Sequence, residues 1–123
     1  MSQPDEPTLS QLQAQVLAFS EERDWARYHC PRNLAMAVSV EAAELLELYL
    51  WSTDDGPQPA VPERTPKVAD EMADVLICLL NLAARTEVDL AAAVQDKLAR
   101  NARKYPAERV RGKMRKYDEY EDE

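Results

Sequence analysis

The sequence predicts an all-α protein, a four-helix bundle completed by packing against a neighbouring subunit, and three observations support this. Alanine, leucine and glutamate are abundant, while the 123 residues include only 2 glycines and 1 phenylalanine, a composition that favours helices. Prolines divide the chain into four windows, each long enough for a helix. Apolar residues recur within these windows at helical spacing. An all-β sandwich or a glycine-loop dinucleotide fold is therefore not expected.

The first two windows have recognisable helix starts. Thr8, with Gln11 three residues later, fits a capping box, and the helix that follows is expected to continue to about residue 28. Pro31 stands where a helix tolerates proline, at its first position. The second helix is expected to run from there to about residue 51.

The last two windows follow a loop. Residues 52–64 contain three prolines and a glycine, which predicts irregular structure. Thr65 and Pro66 form an N-cap and a first-turn proline, so a third helix should begin there and run to about residue 86. Asp89 is the expected N-cap of a fourth helix, which should end before the next proline.

The chain is long enough for one domain and too short for two. We expect this domain to span residues 8–106. Residues 1–7 should be a disordered N-terminus, and residues 107–123 a polar, charged C-terminal tail.

Neither a membrane span nor a disulfide framework is predicted. The longest apolar stretch, residues 75–84, contains Asn81 and is far shorter than the ~20 residues that a bilayer span needs. The N-terminal residues lack the basic and apolar regions of a signal peptide. The two cysteines, Cys30 and Cys78, are too few for a disulfide framework. We therefore predict a cytoplasmic protein with reduced thiols.

Charge is distributed unevenly along the chain. The formal net charge is −8, yet residues 97–116 carry nine basic side chains against one acidic one, Glu108. Such a segment suits either a solvated helix face or contact with phosphates. The overall negative charge disfavours nucleic acid as a partner.

The second helix places acidic side chains on an apolar face. At 100° per residue, Leu34, Val38, Glu41 and Leu45 fall close to one line along the helix, so Glu41 lies within the apolar stripe. Glu44 lies one turn further on and about 60° away. The other faces of this helix are also mostly apolar, which predicts burial on several sides.

The third helix repeats this arrangement. Glu71, Val75 and Cys78 share one line, and Asp74 lies one turn from Glu71. Buried carboxylates without partners are costly, and neither helix offers a basic residue among the acids. A hard divalent cation with oxygen ligands compensates them better, which indicates Mg²⁺, with Mn²⁺ as a second option. A di-iron centre would need histidine ligands, and the one histidine, His29, lies outside both acidic pairs.

The two acidic pairs, Glu41-Ala-Ala-Glu44 and Glu71-Met-Ala-Asp74, resemble the E-x-x-E and E-x-x-D pattern of the MazG-like, all-α nucleoside triphosphate pyrophosphohydrolases. Further segments resemble the dCTP pyrophosphatase branch of that family, over roughly residues 9–106. These segments are Arg23-Asp24-Trp25, His29, Pro31-Arg32-Asn33-Leu34, Trp51, Val88-Asp89-Leu90, Lys97, Asn101 and Lys104-Tyr105-Pro106.

The resemblance implies a Mg²⁺-dependent enzyme that converts a dNTP to dNMP and pyrophosphate, in nucleotide-pool house-cleaning. It also implies a homo-oligomer, a dimer or a dimer of dimers, and a function for each group of residues. The metal ligands and catalytic residues would be Glu41, Glu44, Glu71 and Asp74. The base and sugar would contact Trp25, His29, Trp51 and Cys78, and the phosphates would contact Lys97, Asn101 and Lys104, which share one helix face.

Two positions depart from the family pattern. The characterised animal members have a histidine where this chain has Val16 and a tyrosine where it has Cys78. Cys78 should still face the substrate cavity, because it lies two turns beyond Glu71 on the same line. Metal chemistry should be unaffected by these departures, whereas the base preference depends on them.

We therefore expect a pyrophosphohydrolase that favours dCTP or modified dCTP, with one glutamate, Glu44 by preference, as a possible general base. One alternative is a pyrophosphohydrolase for dUTP or another non-canonical nucleotide. Another is a non-catalytic helical module that binds nucleotide.

Overall fold

The computed structural model describes residues 5–50 and 65–113, and this part of the chain is helical throughout, with connecting turns and no strand. The predicted all-α class is thereby confirmed. Five α-helices lie within the described residues, together with one short 3-10 turn, Ala26–Tyr28. In chain order the helices are α1 Leu9–Glu22, α2 Pro31–Glu47, α3 Thr65–Thr86, α4 Leu90–Lys104 and α5 Ala107–Val110.

Helix α1 begins as predicted and ends earlier than predicted. The Gln11 amide donates to Thr8 Oγ1 at 3.1 Å and the Thr8 amide donates to Gln11 Oε1 at 2.8 Å, which confirms the capping box. The helix stops at Glu22 because Asp24 adopts a positive φ of 56°, a conformation that no helix continues through. The expected extension to residue 28 is therefore wrong, and a 3-10 turn takes its place.

Helix α2 has Pro31 at its first position, as predicted, and ends at Glu47 rather than near residue 51. The last turn tightens, because the Leu48 and Tyr49 amides donate to carbonyls three residues back, at 3.2 and 2.9 Å. Trp51 lies outside the described residues.

Helices α3 and α4 match the predicted bounds closely. Helix α3 begins at Thr65, and Glu87, with φ 57°, follows its last residue. The Asp89 side chain accepts from the Ala92 amide at 3.1 Å, which is the predicted N-cap of α4. Helix α5 was not predicted, because its four residues carry little hydrophobic pattern.

The described chain forms two compact units, Met1–Val88 and Asp89–Glu123. In the first unit α2 packs chiefly on α3, and α1 also contacts α3. Leu34, Leu80 and Ala83 are at most 4% exposed and form the core of this unit among the described residues. No helix within the described residues is long and apolar enough to cross a membrane.

Candidate active site

Three acidic side chains meet where α2 packs on α3. Glu41 and Glu44 project from α2 one turn apart, and Glu71 projects from the facing helix. One carboxylate oxygen from each lies within 4.8 Å of the other two. We call these three residues the acid cluster. The sequence pattern predicted it, because it placed acidic residues within the apolar faces by which the two helices pack.

The acid cluster is short of hydrogen-bond partners. Oε2 of Glu41 and Oε2 of Glu71 are buried, and neither has a partner among the described residues. The pKa of Glu41 is raised, first because Glu44 shares a hydrogen bond with it, and then by burial and by the negative charges around it. The pKa of Glu71 is also raised, first by burial and then by the charges of Glu44 and Asp74. In the metal-free protein, both carboxyl groups are thus biased towards holding a proton.

A divalent cation fits this arrangement. The acid cluster supplies carboxylate oxygens only, which are the ligands of hard cations such as Mg²⁺. In the part of the chain that the structure describes, no ion pair reaches the cluster. The ion pairs found there are Arg23–Glu22, Arg27–Asp24 and Arg100–Asp96. A cation would therefore supply the positive charge that the two buried oxygens lack.

Asp74, the fourth predicted acid, lies at the edge of this group. It is exposed and its carboxylate is not among the oxygens that meet within 4.8 Å. Its charge nevertheless contributes to the raised pKa of both Glu41 and Glu71, so it is close enough to act on them. The structure thus brings together three of the four predicted acids and places the fourth beside them.

A cavity of about 640 Å³ opens next to the acid cluster. Its wall includes Ala37, one turn before Glu41, and Ala73, directly before Asp74. Most of the lining side chains are apolar. Three of the residues predicted to contact the base, Trp25, His29 and Cys78, line this cavity, and so does Val16. The remaining lining residues are Leu12, Gln15, Phe19, Ser20, Asn33, Leu34, Leu76, Ile77, Leu80 and Asn81.

Trp25 has a fixed neighbour on one side. Its ring meets that of Phe19 edge to face, with 5.8 Å between centroids and 68° between planes. The Arg23 guanidinium in turn lies over the Phe19 ring, 3.6 Å from the ring centroid. Trp25 remains 48% exposed, so part of its indole is available to a ligand.

Cys78 links the cavity to the acid cluster. Its thiol pKa is raised, first by burial and then by the charges of Glu41 and Asp74. Because the same residue lines the cavity, Cys78 borders both the cavity and the carboxylates.

The residues predicted to contact phosphates, Lys97, Asn101 and Lys104, all lie on α4, spaced so that they share one face. Helix α4 belongs to the second compact unit. Their contact with substrate stays a prediction, as does that of Trp51, which lies outside the described residues.

Sequence analysis did not predict Asn81, a polar residue of the cavity wall, as a site residue. Asn81 is only 6% exposed, and its side-chain Oδ1 is buried with no hydrogen-bond partner among the described residues. The available signal was a polar residue within the apolar run of residues 75–84.

Comparison with known proteins agrees with this geometry. The sequence pattern of the MazG-like family matches residues 36–120, which include all four acids. The chain is 46% identical over 116 residues to dCTP pyrophosphatase 1 of Homo sapiens, covering 93% of this chain and 68% of that protein. It is 43% identical to dCTP pyrophosphatase 1 of Mus musculus, over 91% of this chain and 67% of that protein.

A solved structure is also similar. The crystal structure of a pyrophosphatase from Archaeoglobus fulgidus superposes with a TM-score of 0.69 and 34% identity, covering 86% of this chain and 99% of that one. The fold and the acid cluster define an all-α protein that can hold a divalent metal ion between two helices. The chain belongs to the MazG-like family. The predicted resemblance to its dCTP pyrophosphatase branch, and the enzyme class of nucleoside triphosphate pyrophosphatase, are confirmed.

Proposed function

We propose that this enzyme hydrolyses dCTP or a modified dCTP to the monophosphate and pyrophosphate, as part of nucleotide-pool house-cleaning. One observation carries the proposal: the acid cluster, with two buried and unpaired carboxylate oxygens, adjoins an apolar cavity of about 640 Å³. Pockets of this size accommodate a small ligand, and the ligand here would have a metal-binding end and a flat, apolar end. A nucleoside triphosphate has both.

The metal ion in this proposal is Mg²⁺, with Mn²⁺ as a possible substitute. Glu41, Glu44 and Glu71 would hold it, and Asp74 would complete its ligands or hold a second ion. When bound, the ion neutralises phosphate charge and makes water more acidic. The orphaned Oε2 atoms of Glu41 and Glu71 support this, because each is a lone-pair donor that no described residue uses.

The proton of the attacking water needs an acceptor, and the acid cluster provides one. We assign this role to one oxygen of Glu44, the residue of the acid cluster that shares a hydrogen bond with both Glu41 and Glu71, and leave its other oxygen to the ion. Water then attacks the α-phosphorus, the bond to the bridging oxygen breaks, and pyrophosphate leaves. No covalent intermediate on the chain is required.

The base would occupy the cavity beside the acid cluster. The exposed part of the Trp25 indole can stack on a pyrimidine, while His29 and Cys78 line the same space. Trp51 would add a second aromatic contact. Lys97, Asn101 and Lys104 would contact the phosphates, since they offer two cations and an amide on one face of α4.

Assembly as a homo-oligomer, a dimer or a dimer of dimers, is part of the proposal. Helix α2 packs on α3 through its Leu34 side, yet Met36, Val40 and Leu46 on the other side are 57%, 56% and 62% exposed. We call these three residues the outer face of α2. A second copy of the chain would cover this face. We place the protein in the cytoplasm, where its two free cysteines stay reduced.

The decisive experiment offers purified protein a panel of dCTP, 5-methyl-dCTP, dUTP, dTTP, dATP and dGTP with Mg²⁺, and measures released pyrophosphate. We expect release from the cytosine nucleotides, at higher kcat/KM than from the others. Preferred hydrolysis of dUTP would favour the non-canonical alternative. Nucleotide binding without pyrophosphate release, with either Mg²⁺ or Mn²⁺, would favour the non-catalytic module and overturn the proposal.

A further inference from the structure

The wall of the cavity contains a buried acceptor, the Asn81 side-chain oxygen, that none of the described residues uses. Asn81 lies on α3 one turn beyond Cys78 and is 6% exposed. Its Oδ1 is buried and has no hydrogen-bond partner among the described residues. A buried carbonyl oxygen without a donor costs free energy, and most such groups in native proteins are paired. Because Asn81 also lines the cavity, a bound ligand is a source from which a donor could reach this oxygen.

The neighbouring cavity residues do not supply that donor. Asn33 also lines the cavity, but its Nδ2 donates to the Tyr28 carbonyl at 3.0 Å. Leu76, Ile77 and Leu80 also line the cavity from α3 and have no polar side-chain atoms. The two asparagines therefore differ. The side-chain nitrogen of Asn33 donates to the backbone, whereas the side-chain oxygen of Asn81 has no partner among the described residues.

The position of Asn81 along α3 suits contact with a base. Seven residues separate it from Asp74, which is ~10 Å along the helix axis at 1.5 Å per residue. This is about the span from the phosphates of a nucleotide to the far edge of its base. With the triphosphate at the acid cluster, the base edge would therefore reach the turn of α3 that carries Asn81.

We propose that Asn81 is a specificity-determining residue whose Oδ1 accepts a hydrogen bond from the 4-amino group of a cytosine base. This inference rests on the proposed function. On the cytosine ring of a nucleotide the 4-amino group is the one hydrogen-bond donor, since N3 and O2 accept. Uracil and thymine carry an oxygen at the same position, which would face Oδ1 as a second acceptor. With the Asn81 amide oriented as in the structure, this contact favours cytosine over both.

The test is a cycle that pairs a change in the protein with a change in the ligand. Dissociation constants are measured by calorimetry with Mg²⁺ for dCMP and for the 2-pyrimidinone analogue of dCMP, which lacks the 4-amino group. Wild type and Asn81→Leu are compared. Removing the amino group should weaken binding to wild type about tenfold, the effect of one neutral hydrogen bond, and should barely affect binding to Asn81→Leu. An equal loss in both proteins would overturn the proposal.

The matched control is Asn33→Leu, which removes the other cavity asparagine. It should lower Tm, because the Tyr28 carbonyl loses its donor. It should still discriminate between the two ligands as wild type does. Asn81→Leu should keep or raise Tm, because it removes an unpaired buried oxygen. If Asn81→Leu and Asn81→Ala both clearly lowered Tm, Asn81 would have a structural role and the proposal would be overturned.

Pyrophosphate release is measured in parallel, so that failure of the proposed catalysis can be distinguished from failure of the proposed contact between Asn81 and the base. If wild type releases no pyrophosphate but the binding cycle is non-additive, the base contact stands and the proposed catalysis fails. If wild type hydrolyses dCTP but both proteins lose the same factor when the amino group is removed, the catalysis stands and the Asn81 contact is overturned.

Discussion

Glu41 of α2 and Glu71 of α3 each bury one carboxylate oxygen, Oε2, for which no described residue provides a hydrogen bond. Together with Glu44 they bring three carboxylates within 4.8 Å of one another. Such an arrangement opposes folding unless protons or a cation neutralise it. The three carboxylates therefore lower the stability of the metal-free protein, while they form a set of oxygen ligands before a metal ion binds.

Glu41→Gln should abolish turnover without unfolding the protein. The substitution removes a charged ligand while keeping the shape of the side chain. We expect kcat/KM to fall by more than about 100-fold, since even groups that only support metal ligands contribute about 10–100-fold. In chelator the variant should be as stable as wild type or more so, because one of the repelling charges is gone. Pyrophosphate release and thermal melting provide the measurements.

The control for this variant is Glu47→Gln, an exposed residue at the end of the same helix and outside the acid cluster. It should leave both activity and metal-free stability close to wild type. Near-normal turnover of Glu41→Gln would contradict the assignment of Glu41 as a metal ligand. A marked loss of its stability would instead indicate that Glu41 has a structural partner.

Stability of the metal-free protein should rise as pH falls from neutral. The pKa values of Glu41 and Glu71 are raised in the folded state, so between the ordinary carboxyl value and the raised values the folded state binds more protons than the unfolded one. Stability is then highest below the unfolded-state pKa and is lost as pH rises through the folded-state pKa. Melting in chelator across pH 5 to 8 should show this trend.

Mg²⁺ should counteract that pH dependence. Protons and metal compete for the same oxygens, so the increase in Tm on adding Mg²⁺ should be largest near neutral pH and shrink as pH falls. Glu47→Gln should behave as wild type, whereas Glu41→Gln should show a much smaller increase at every pH. An increase that is independent of pH would contradict binding at the acid cluster.

Lys97→Ala should raise KM for dCTP with little change in kcat. A charge-assisted contact with a phosphate contributes roughly tenfold to binding, and salt should reduce that contribution. Arg100→Ala is the matched control on α4, because Arg100 pairs with Asp96, with nitrogen–oxygen distances of 3.0 and 3.1 Å. Steady-state kinetics at two salt concentrations separates the variants. Equal effects on KM would count against a specific phosphate contact.

Local sequence signals predicted the helix starts well. Thr8, Pro31 and Asp89 act within a few residues of themselves, through caps and a fixed φ, so no distant contact is needed to recognise them. The end of α1 was not predictable in this way. It depends on the left-handed conformation of Asp24, after which the Trp25 amide donates to the Ser20 carbonyl at 3.0 Å.

The acid cluster was predictable because its signal is the conflict between charge and an apolar helix face. Glu41 and Glu71 each lie among apolar neighbours at helical spacing, and two such faces pack together. Asn81 shows the limit of this reasoning. Its place in an apolar run was visible, but burial of its Oδ1 without a donor depends on how α3 is rotated against its neighbours.

Val40→Glu should dissociate the assembly. Val40 lies at the middle of the outer face of α2, and a charge there would have to be buried against a second copy. Light scattering should give wild type a mass of at least twice the 14.0 kDa of the chain, and should give the variant a mass close to that of one chain. Ser10→Glu, an exposed position on α1, is the control. A wild-type monomer at micromolar concentration would contradict the proposed oligomer.

Cys78→Tyr should narrow the substrate range while leaving the Mg²⁺ dependence unchanged. Cys78 lies between the cavity and the charges of Glu41 and Asp74, so a larger side chain there would occupy room next to the base rather than at the metal ligands. With the small thiol, the cavity should tolerate 5-substituted cytosines. With tyrosine, we expect the ratio of kcat/KM for dCTP to that for dTTP and dUTP to rise by about tenfold, a typical effect of pocket shape. Cys78→Ser keeps the size of the side chain and should leave the ratio close to wild type. If Cys78→Tyr also left it unchanged, the base would lie elsewhere than in this cavity.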